Sequence, residues 1–447
     1  MRSYHRVLQL LARVGILHRA RRRGGKAAAA ASLLALFYAS LILRQGRRPK
    51  VTCRRTSYNI RLLKAMAQVI DRPYYPSWLT PNAHVNCALG FFKQGPRLSK
   101  TREMLRTWDG GRVAIDWKNR GATGADLAAD IPILLIIHGL NGHSDEACVL
   151  YAMENADRRG WRSVAMNHRG CGGSQLTSGW SYSLAYTGDV RLVVCHIRNR
   201  YPDAPIFAVG FSLGANLLVK YLGEEGKVGE RPLAGAVSVS NPWSFIGSKL
   251  GGEVPTDGLK DYLVSRFYGL ALTIGLKMTL REHMGSDVLK RRTDLDVPGA
   301  LRANSLSRYD ASVIVPMWGY KSVRDYRKDG ASRDYLMDVR CPLLCINADD
   351  DPICSSRLCP VDEARCNPCV ILVQTHAGGH IGFGEGLNPF GRQSWADRLM
   401  SEYFQALMNQ RDEVEAAEAN VQGNRSGESQ GTTGVEPRSS TSIASRL

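Results

Sequence analysis

The stretch IFAVGFSLGANLLVKYL, residues 206–222, decides the fold. It opens with an apolar run, IFAV, that is typical of a buried strand, and after the serine its apolar residues recur at helical spacing. Ser212 lies between these two parts, with Gly210 and Gly214 two positions away on either side. A sharp strand-to-helix turn requires small residues there, because a Cβ would collide with the neighbouring strand or helix. The pattern G-x-S-x-G therefore predicts an exposed, nucleophilic serine, although a glycine-rich chain can also contain it by chance.

Composition and charge restrict the class of protein. The chain has 447 residues, of which 44% are hydrophobic and 22% charged, enough for one large domain of about 300 residues with appendages. The formal net charge is +18, but residues 1–70 contain sixteen Lys or Arg and no acidic residue. The remainder is nearly neutral, so the positive charge belongs to an N-terminal segment and predicts no nucleic-acid partner.

That N-terminal segment predicts a membrane anchor. Residues 1–26 are rich in Arg, and residues 27–43, AAAAASLLALFYASLIL, carry no charge. At 1.5 Å per residue this run reaches about 26 Å, enough to cross a thin bilayer. A mitochondrial transit peptide and a buried helix are the alternatives. We expect a single-pass protein of the endoplasmic reticulum or another endomembrane, with the mitochondrion as the alternative; equal numbers of basic residues on both sides leave the orientation open.

Alternation of strands and helices predicts the architecture of the main domain, residues 101–411. Between 131 and 240 buried apolar strands alternate with helices, and the pattern resumes with PLLCINADDD and VILVQT. Such alternation indicates a mostly parallel sheet with helices on both faces. Residues 243–335 interrupt it with a helical insertion that is longer than a crossover needs, which predicts a cap or lid.

Simpler elements are predicted around this core. Residues 44–100 are interpreted as a helical connector, and EMLRTWDGGRVAIDW, residues 103–117, as a hairpin that turns at two glycines. A final helix is predicted from Trp395 to about residue 411, with Ser394 as its N-cap. The polar residues 412–447 are predicted to be a disordered tail.

Two further residues complete a catalytic hypothesis. In an α/β-hydrolase the chain order is serine, acid, histidine. An acidic run follows the strand LLCIN, and from it we select Asp350, with Asp351 as the alternative. The strand VILVQT leads into the loop HAGGHIGF, where His380 is the preferred base and His376 the alternative. A serine hydroxyl needs such a base at neutral pH, and a carboxylate orients the imidazole and stabilises its charged form.

Backbone N–H groups are expected to stabilise the tetrahedral oxyanion. Leu213, directly after the serine, supplies one of them, and Leu140, in the loop HGLNG after the first long strand, supplies the other. His138 ends that buried strand, which favours a packing or loop-orienting role over a catalytic one. The glycine-rich run NHRGCGGS lacks the spacing of a phosphate-binding loop.

The eleven cysteines have no zinc-site spacing. Cys366 and Cys369 form a single C-x-x-C, which favours free thiols in a reducing compartment. A disulfide within residues 354–369 is the alternative if that part of the chain faces an oxidising lumen. No metal ion and no cofactor is predicted.

The chain resembles the YheT-like branch of the α/β-hydrolases, which includes eukaryotic membrane-anchored lipid esterases. The matching motifs lie in order between about residues 100 and 410: DGGRVAIDW, HGLNGHSDEACV, NHRGCGGS, GFSLGANLLVKYLGEEG, VSVSNPW, NADDDP and GGHIGF. The resemblance implies an α/β-hydrolase fold, an N-terminal anchor, and a triad of Ser212, Asp350 and His380. The chain departs from the family pattern in its extra Asp349, in residues 325–332 and in its cysteine-rich residues 354–369.

The same resemblance implies a lipid or acyl-ester substrate: a monoacylglycerol, a medium-chain ester or an acyl chain of a phospholipid. Acyl transfer from acyl-CoA to an alcohol is the first alternative, and an inactive membrane-anchored scaffold is the second. The apolar stretch 263–280 of the predicted cap can shield an acyl chain or can simply pack the cap on the sheet.

Overall fold

A mostly parallel sheet is the centre of the computed structural model, which describes residues 46–77, 82–119, 126–247, 259–386 and 393–428. The strand order is β1-β9-β8-β7-β6-β4-β5-β3-β2. The six central strands, from β9 to β5 in this order, are parallel to one another. At the edges, β1 is antiparallel to β9, β3 is antiparallel to β5, and β2 is antiparallel to β3. The strands are β1 (Lys50–Thr52), β2 (Thr101–Arg106), β3 (Arg112–Lys118), β4 (Ile133–Ile137), β5 (Arg162–Asn167), β6 (Ile206–Phe211), β7 (Gly235–Val239), β8 (Leu343–Ala348) and β9 (Val370–Thr375).

Helices cover both faces of this sheet and its carboxyl edge. The helices of the described chain are α1 (Ser57–Ala65), α2 (Ala67–Ile70), α3 (Ala83–Phe92), α4 (Ala147–Arg158), α5 (Gly188–Arg200), α6 (Leu213–Lys227), α7 (Leu259–His283), α8 (Asp287–Lys290), α9 (Val297–Arg302), α10 (Leu306–Tyr309), α11 (Val315–Trp318), α12 (Val323–Asp329), α13 (Val361–Cys366) and α14 (Trp395–Glu428). A π-helical turn, Asp310–Ile314, and two 3₁₀ segments, Ser332–Asp338 and Ser356–Leu358, complete the set.

Alternate side chains of the parallel strands enter two different cores. In β4, Leu135 and Ile137 pack on one face of the sheet, whereas Leu134 and Ile136 pack on the other. Because helices cover both faces, every residue of this strand is buried, and such strands contain continuous apolar runs. The predicted alternation of strands and helices is therefore confirmed. Between β7 and β8, where the sequence predicts a cap or lid, helices α7 to α12 lie over the carboxyl edge of the sheet.

Smaller predicted elements are also present. The predicted hairpin is formed by β2 and β3, with a hydrogen bond from the Thr107 N–H to the Gly111 carbonyl closing its turn. Ser394 caps α14: its Oγ accepts from the Asp397 N–H at 3.1 Å, and Asp397 Oδ2 accepts from the Ser394 N–H at 2.8 Å. This reciprocal arrangement is a capping box.

Two predictions of segment boundaries are corrected. The predicted connector, residues 44–100, contributes an edge strand, because β1 pairs with β9, and α1 packs against α14. A strand of three residues next to Arg54 and Arg55 has too little apolar pattern to be detected. The C-terminal helix continues to Glu428 instead of ending near residue 411, in agreement with the Ala and Glu residues that follow, which favour helices.

The predicted anchor, residues 27–43, and residues 1–26 lie outside the described residues, as do residues 429–447 of the predicted tail. Among the residues that the structure describes, no helix combines the length and the apolar character that crossing a bilayer requires.

Candidate active site

Ser212 occupies a strained turn between β6 and α6. Its backbone dihedrals, φ 53° and ψ −116°, lie in a region that L residues rarely adopt. A Cβ on Gly210 would overlap the backbone of Gly214, and a Cβ on Gly214 would overlap the carbonyl oxygen of Ile137 in β4. The two glycines are therefore required by close backbone approach, as the sequence predicted.

Three side chains form a hydrogen-bonded series at the carboxyl edge of the sheet. Ser212 Oγ lies 2.9 Å from Nε2 of His380, and Nδ1 of His380 lies 2.8 Å from Oδ2 of Asp351. Because a carboxylate accepts hydrogen bonds, the imidazole proton belongs on Nδ1, and Nε2 is free to accept the serine hydroxyl. The second carboxylate oxygen of Asp351 accepts from the backbone N–H groups of Ile353 and Cys354, both at 2.8 Å, so the carboxylate is fixed from two directions.

The prediction that Asp350 contacts His380 is wrong, because that position belongs to the alternative, Asp351. Asp350 Oδ1 accepts from the backbone N–H of Gly379 at 2.8 Å and so braces the histidine loop rather than the imidazole. Burial, ahead of all other causes, raises the pKa of Asp350 to about 6. Asp349 lies on the outside, where its carboxylate is 3.2 Å from the ammonium group of Lys50. Consecutive side chains at the turn thus point to three different partners.

The loop after β9 places His380 rather than His376 next to Ser212. It bends through left-handed backbone at Gly379, Ile381 and Phe383. The His380 N–H donates to Sγ of Cys87 at 3.0 Å, and the Ile381 N–H donates to Oγ of Ser240 at 3.1 Å. These contacts tie the loop to helix α3 and to the end of β7.

Leu140 and Leu213, the two residues predicted to form an oxyanion hole, both line the cavity into which Ser212 opens. Leu213 begins α6, where backbone N–H groups have no partner within the helix. Leu140 follows Gly139, and a Cβ on Gly139 would lie only 3.2 Å from Cβ of Ser212. The loop after β4 therefore passes directly against the serine, and donation to an oxyanion stays a prediction.

His138 holds that loop, as the sequence predicted. Its Nδ1 donates to the Gly139 carbonyl at 2.8 Å, and its Nε2 accepts from the His168 N–H at 3.1 Å. Nε2 of His168 in turn donates to the His138 carbonyl at 3.1 Å. Burial lowers the pKa of His138 well below its ordinary value and that of His168 to about 4. Both rings are thus neutral and held by hydrogen bonds to the loop, and neither serves as a base.

Comparison with known proteins agrees with this geometry. The family model described as alpha/beta hydrolase fold matches residues 132–387. The chain belongs to the alpha/beta hydrolase fold family. It is 35% identical over 357 residues to embryogenesis-associated protein EMB8 of Picea glauca, covering 78% of this chain and 75% of that one.

Two further relatives of the hydrolase have names that state an activity. Phospholipase ABHD3 of Mus musculus is 32% identical over 384 residues, which cover 85% of this chain and 89% of that one. Monoacylglycerol lipase of Saccharomyces cerevisiae is 31% identical over 277 residues, which cover 60% and 58%. The predicted family and the predicted enzyme class, a carboxylic ester hydrolase, are confirmed.

A cavity of about 1040 Å³ adjoins Ser212 and His380 in this hydrolase. The cap helix α7 lines much of it with Val264, Leu272, Leu276 and Leu280, so the stretch predicted either to shield an acyl chain or to pack the cap forms part of the cavity wall. Most of the remaining wall is apolar or aromatic. An apolar cavity that ends at a serine hydroxyl can hold the hydrocarbon part of an ester.

Thiols surround the imidazole of the hydrolase, and the sequence contains no signal for this. Sγ of Cys354 lies 3.6 Å from Nδ1 of His380 and donates to the Ser240 carbonyl at 3.2 Å. Donor atoms of Asp351, Cys354 and His380 lie within 4.8 Å of one another. This is compact enough for a metal ion, but the hydrogen bond between carboxylate and imidazole already accounts for the proximity. All eleven cysteines, including Cys366 and Cys369, are free thiols.

Proposed function

We propose that the protein hydrolyses acyl esters of lipids, with Ser212 as nucleophile, His380 as general base and acid, and Asp351 as the orienting carboxylate. The observation that carries this proposal is the series from Ser212 Oγ to His380 Nε2, 2.9 Å, and from His380 Nδ1 to Asp351 Oδ2, 2.8 Å, at the end of an apolar cavity. A strained serine, an imidazole in the correct tautomer and a buried carboxylate are what acyl transfer requires.

The reaction proceeds in two halves. His380 takes the proton of Ser212 as the oxygen attacks the ester carbonyl, and the N–H groups of Leu213 and Leu140 stabilise the oxyanion that forms. Collapse of this intermediate breaks the ester bond, and His380 gives its proton to the leaving alcohol. A water molecule, deprotonated by the same imidazole, then attacks the acyl-enzyme, and His380 returns this proton to Ser212 Oγ as the bond to the fatty acid breaks.

The cavity supports a substrate with a hydrocarbon chain. Its wall is built mainly from the cap, α3 and the loops at the carboxyl edge, and it is apolar over most of its surface. Burial of each CH₂ group in such a cavity contributes about 0.8 kcal/mol, so a long acyl chain supplies much of the binding free energy. We therefore propose monoacylglycerols, medium-chain esters and the acyl chains of phospholipids as the substrate classes.

Residues 27–43 are proposed to anchor the enzyme in the endoplasmic reticulum or another endomembrane. A central charge costs about 2.5–3.5 kcal/mol on insertion scales, which is a reason for seventeen consecutive uncharged residues. Extraction of membranes with alkaline carbonate tests this proposal, because an integral protein stays in the pellet. Recovery of a soluble chain trimmed near residue 30 from an organelle matrix would instead support a mitochondrial transit peptide.

A panel of lipid esters tests the proposed chemistry. The purified protein is assayed for release of fatty acid, with Ser212→Ala as the matched blank, and is labelled with a fluorophosphonate probe. We expect one labelled serine in the wild type and none in the variant. Acyl esters accumulating from acyl-CoA and an alcohol would favour the acyltransferase, and absence of both activities and of labelling would favour the scaffold.

A further inference from the structure

Helix α7 of the cap exposes apolar side chains on the surface that faces away from the sheet. Leu263, Phe267, Leu270, Ile274 and Met278 are all exposed, Phe267 to 67% and Met278 to 55%. They recur every three or four residues and so form one stripe along the helix. A surface helix of a soluble domain normally carries polar residues on its outer face, and an apolar stripe of this length indicates an interaction surface.

A second helix extends the stripe to the mouth of the cavity. Phe91 and Phe92, at the end of α3, are exposed to 60% and 80%. Both phenylalanines, together with Leu263 and Phe267 of α7, also line the cavity that contains Ser212. The exposed apolar surface is therefore continuous with the entrance to the catalytic cavity.

The path of the chain brings the predicted anchor to the same side. Strand β1 is antiparallel to β9, and Lys50 pairs with Gln374 near the carboxyl end of β9. Upstream of it, the Arg47 N–H bonds to the Tyr74 carbonyl, and the Ser77 N–H bonds to the Gly384 carbonyl in the loop that also carries His380. The described chain thus begins at the carboxyl edge of the sheet, beside the active-site loops.

The distance to the predicted anchor is short. Three residues, 44–46, separate its last residue from Arg47, which makes the first backbone contact at this edge, and the four steps from residue 43 to residue 47 span at most about 14 Å. A bilayer that holds residues 27–43 consequently lies next to the carboxyl edge rather than behind the opposite edge. Between Tyr262 and Leu280 the charged residues of α7 are Arg266 and Lys277, with no carboxylate to repel anionic lipids.

We propose that the outer stripe of α7, with Phe91 and Phe92 of α3, is a membrane-docking face that lies in the headgroup region of the bilayer holding the anchor. This inference rests on the proposed function, since it assumes the anchor and a lipid substrate. Docking in this orientation lets the acyl chain of a membrane ester move between Phe92 and Phe267 into the cavity without crossing water. Burial of the stripe in the interface gives the helix an apolar environment on both sides.

Charge substitutions away from the cavity test the docking face. Leu270, Ile274 and Met278 are exposed but do not line the cavity, so each is changed to Glu. Val228→Glu and Met337→Glu are the matched controls, because both residues are exposed. Val228 directly follows α6, and Met337 precedes Asp338, which contacts Gly226 near the end of the same helix. Both controls therefore lie at the opposite edge of the sheet. The full-length chain is reconstituted in phosphatidylcholine vesicles that contain monooleoylglycerol.

We expect the three cap substitutions together to lower hydrolysis of the vesicle-borne ester by about tenfold and to leave hydrolysis of a water-soluble butyrate ester unchanged. The two control substitutions should change neither rate. Equal rates on vesicles for wild type and cap variant would overturn the docking face while leaving the ester chemistry in place. If the wild type hydrolysed neither the butyrate ester nor the vesicle-borne ester, the result would instead count against the proposed function.

Photo-crosslinking supplies a measurement that does not depend on activity. Benzoylphenylalanine is placed at position 274 or at position 337 of the full-length protein in the same vesicles. We expect covalent phosphatidylcholine adducts from position 274 and none from position 337. Crosslinks from position 274 to a second copy of the chain, without lipid adducts, would show that the stripe is a dimer interface and would overturn the proposal.

Discussion

The active-site loops and the cap helix α7 both lie at the carboxyl edge of the sheet, but they are held in different ways. In the loops, polar atoms have defined partners at 2.8–3.1 Å, as in Asp351 with His380 and His380 with Cys87. In α7, apolar side chains line a cavity on the inner side and are exposed on the outer side. The proposed reaction therefore depends on directional contacts that tolerate little change, whereas the proposed route of the substrate depends on shape and apolar area.

The largest expected effect is at the centre of the loops. Ser212→Ala removes the proposed nucleophile and should lower kcat by about 10⁶-fold, with circular dichroism showing an unchanged fold. Hydrolysis of a short soluble ester is the assay, because it does not require the cap. Persistent fluorophosphonate labelling in the variant would place the nucleophile at another serine.

Neighbouring acids give the next largest contrast. Asp351→Asn removes the carboxylate that holds the Nδ1 tautomer of His380 and should lower kcat by about 10⁴-fold. Asp350→Asn keeps an oxygen that can accept from the Gly379 N–H, so we expect kcat within about threefold of wild type. Steady-state kinetics of the two variants measure this difference. The reverse ranking would mean that Asp350 reaches the imidazole during catalysis.

Two glycine substitutions compare the turn around Ser212 with helix α7 through their effects on stability. A Cβ on Gly214 would overlap backbone carbonyl oxygens after β4, and we expect Gly214→Ala to lower the free energy of unfolding by about 3 kcal/mol. Gly269 of α7 has open space around its Cβ position, so Gly269→Ala should raise it by about 0.5–1 kcal/mol through helix propensity. Thermal denaturation compares the two, and similar changes in both variants would show that the elbow tolerates more strain than its geometry indicates.

A cap substitution should alter substrate length rather than chemistry. Leu276 is buried in the core and lines the cavity, and Leu276→Trp fills part of the space proposed for an acyl chain. We expect kcat/KM for a long-chain ester to fall by about tenfold while that for a butyrate ester is retained. Leu270→Trp, on the exposed side of the same helix and outside the cavity wall, is the matched control. An equal loss on both esters would indicate damage to the fold.

The smallest effect concerns the pH dependence of stability. Burial raises the pKa of Asp350 from 3.8 to about 6 in the folded protein, so the folded chain retains a proton that the unfolded chain releases. The free energy of unfolding therefore falls as pH rises through the range from about 4 to about 6, and the cost persists above it. Between pH 5 and pH 8, the part of this fall that Asp350→Asn should remove is about 1 kcal/mol, measured through the thermal midpoint at the two pH values. Parallel curves for variant and wild type would contradict the assignment.

Local patterns in the sequence were sufficient for much of the fold and part of the site. Strands such as β4 and β6, the helix 188–200 and the elbow around Ser212 follow from apolar periodicity and from glycines at fixed spacing, which are properties of neighbouring residues. The order of serine, acid and histidine along the chain located the two partner loops for the same reason. Membership of the family then followed from motifs that the sequence carries in order.

Only the tertiary structure decided between Asp350 and Asp351. The two residues are adjacent and of the same type, and no local sequence pattern distinguishes them. They differ in their partners from the loop after β9: the Gly379 N–H donates to Asp350, and Nδ1 of His380 donates to Asp351. Pairing of β1 with β9 and the contact of Cys87 with the His380 N–H likewise join residues about 300 positions apart. Contacts of this kind depend on how distant segments meet in space, which no pattern within a single segment records.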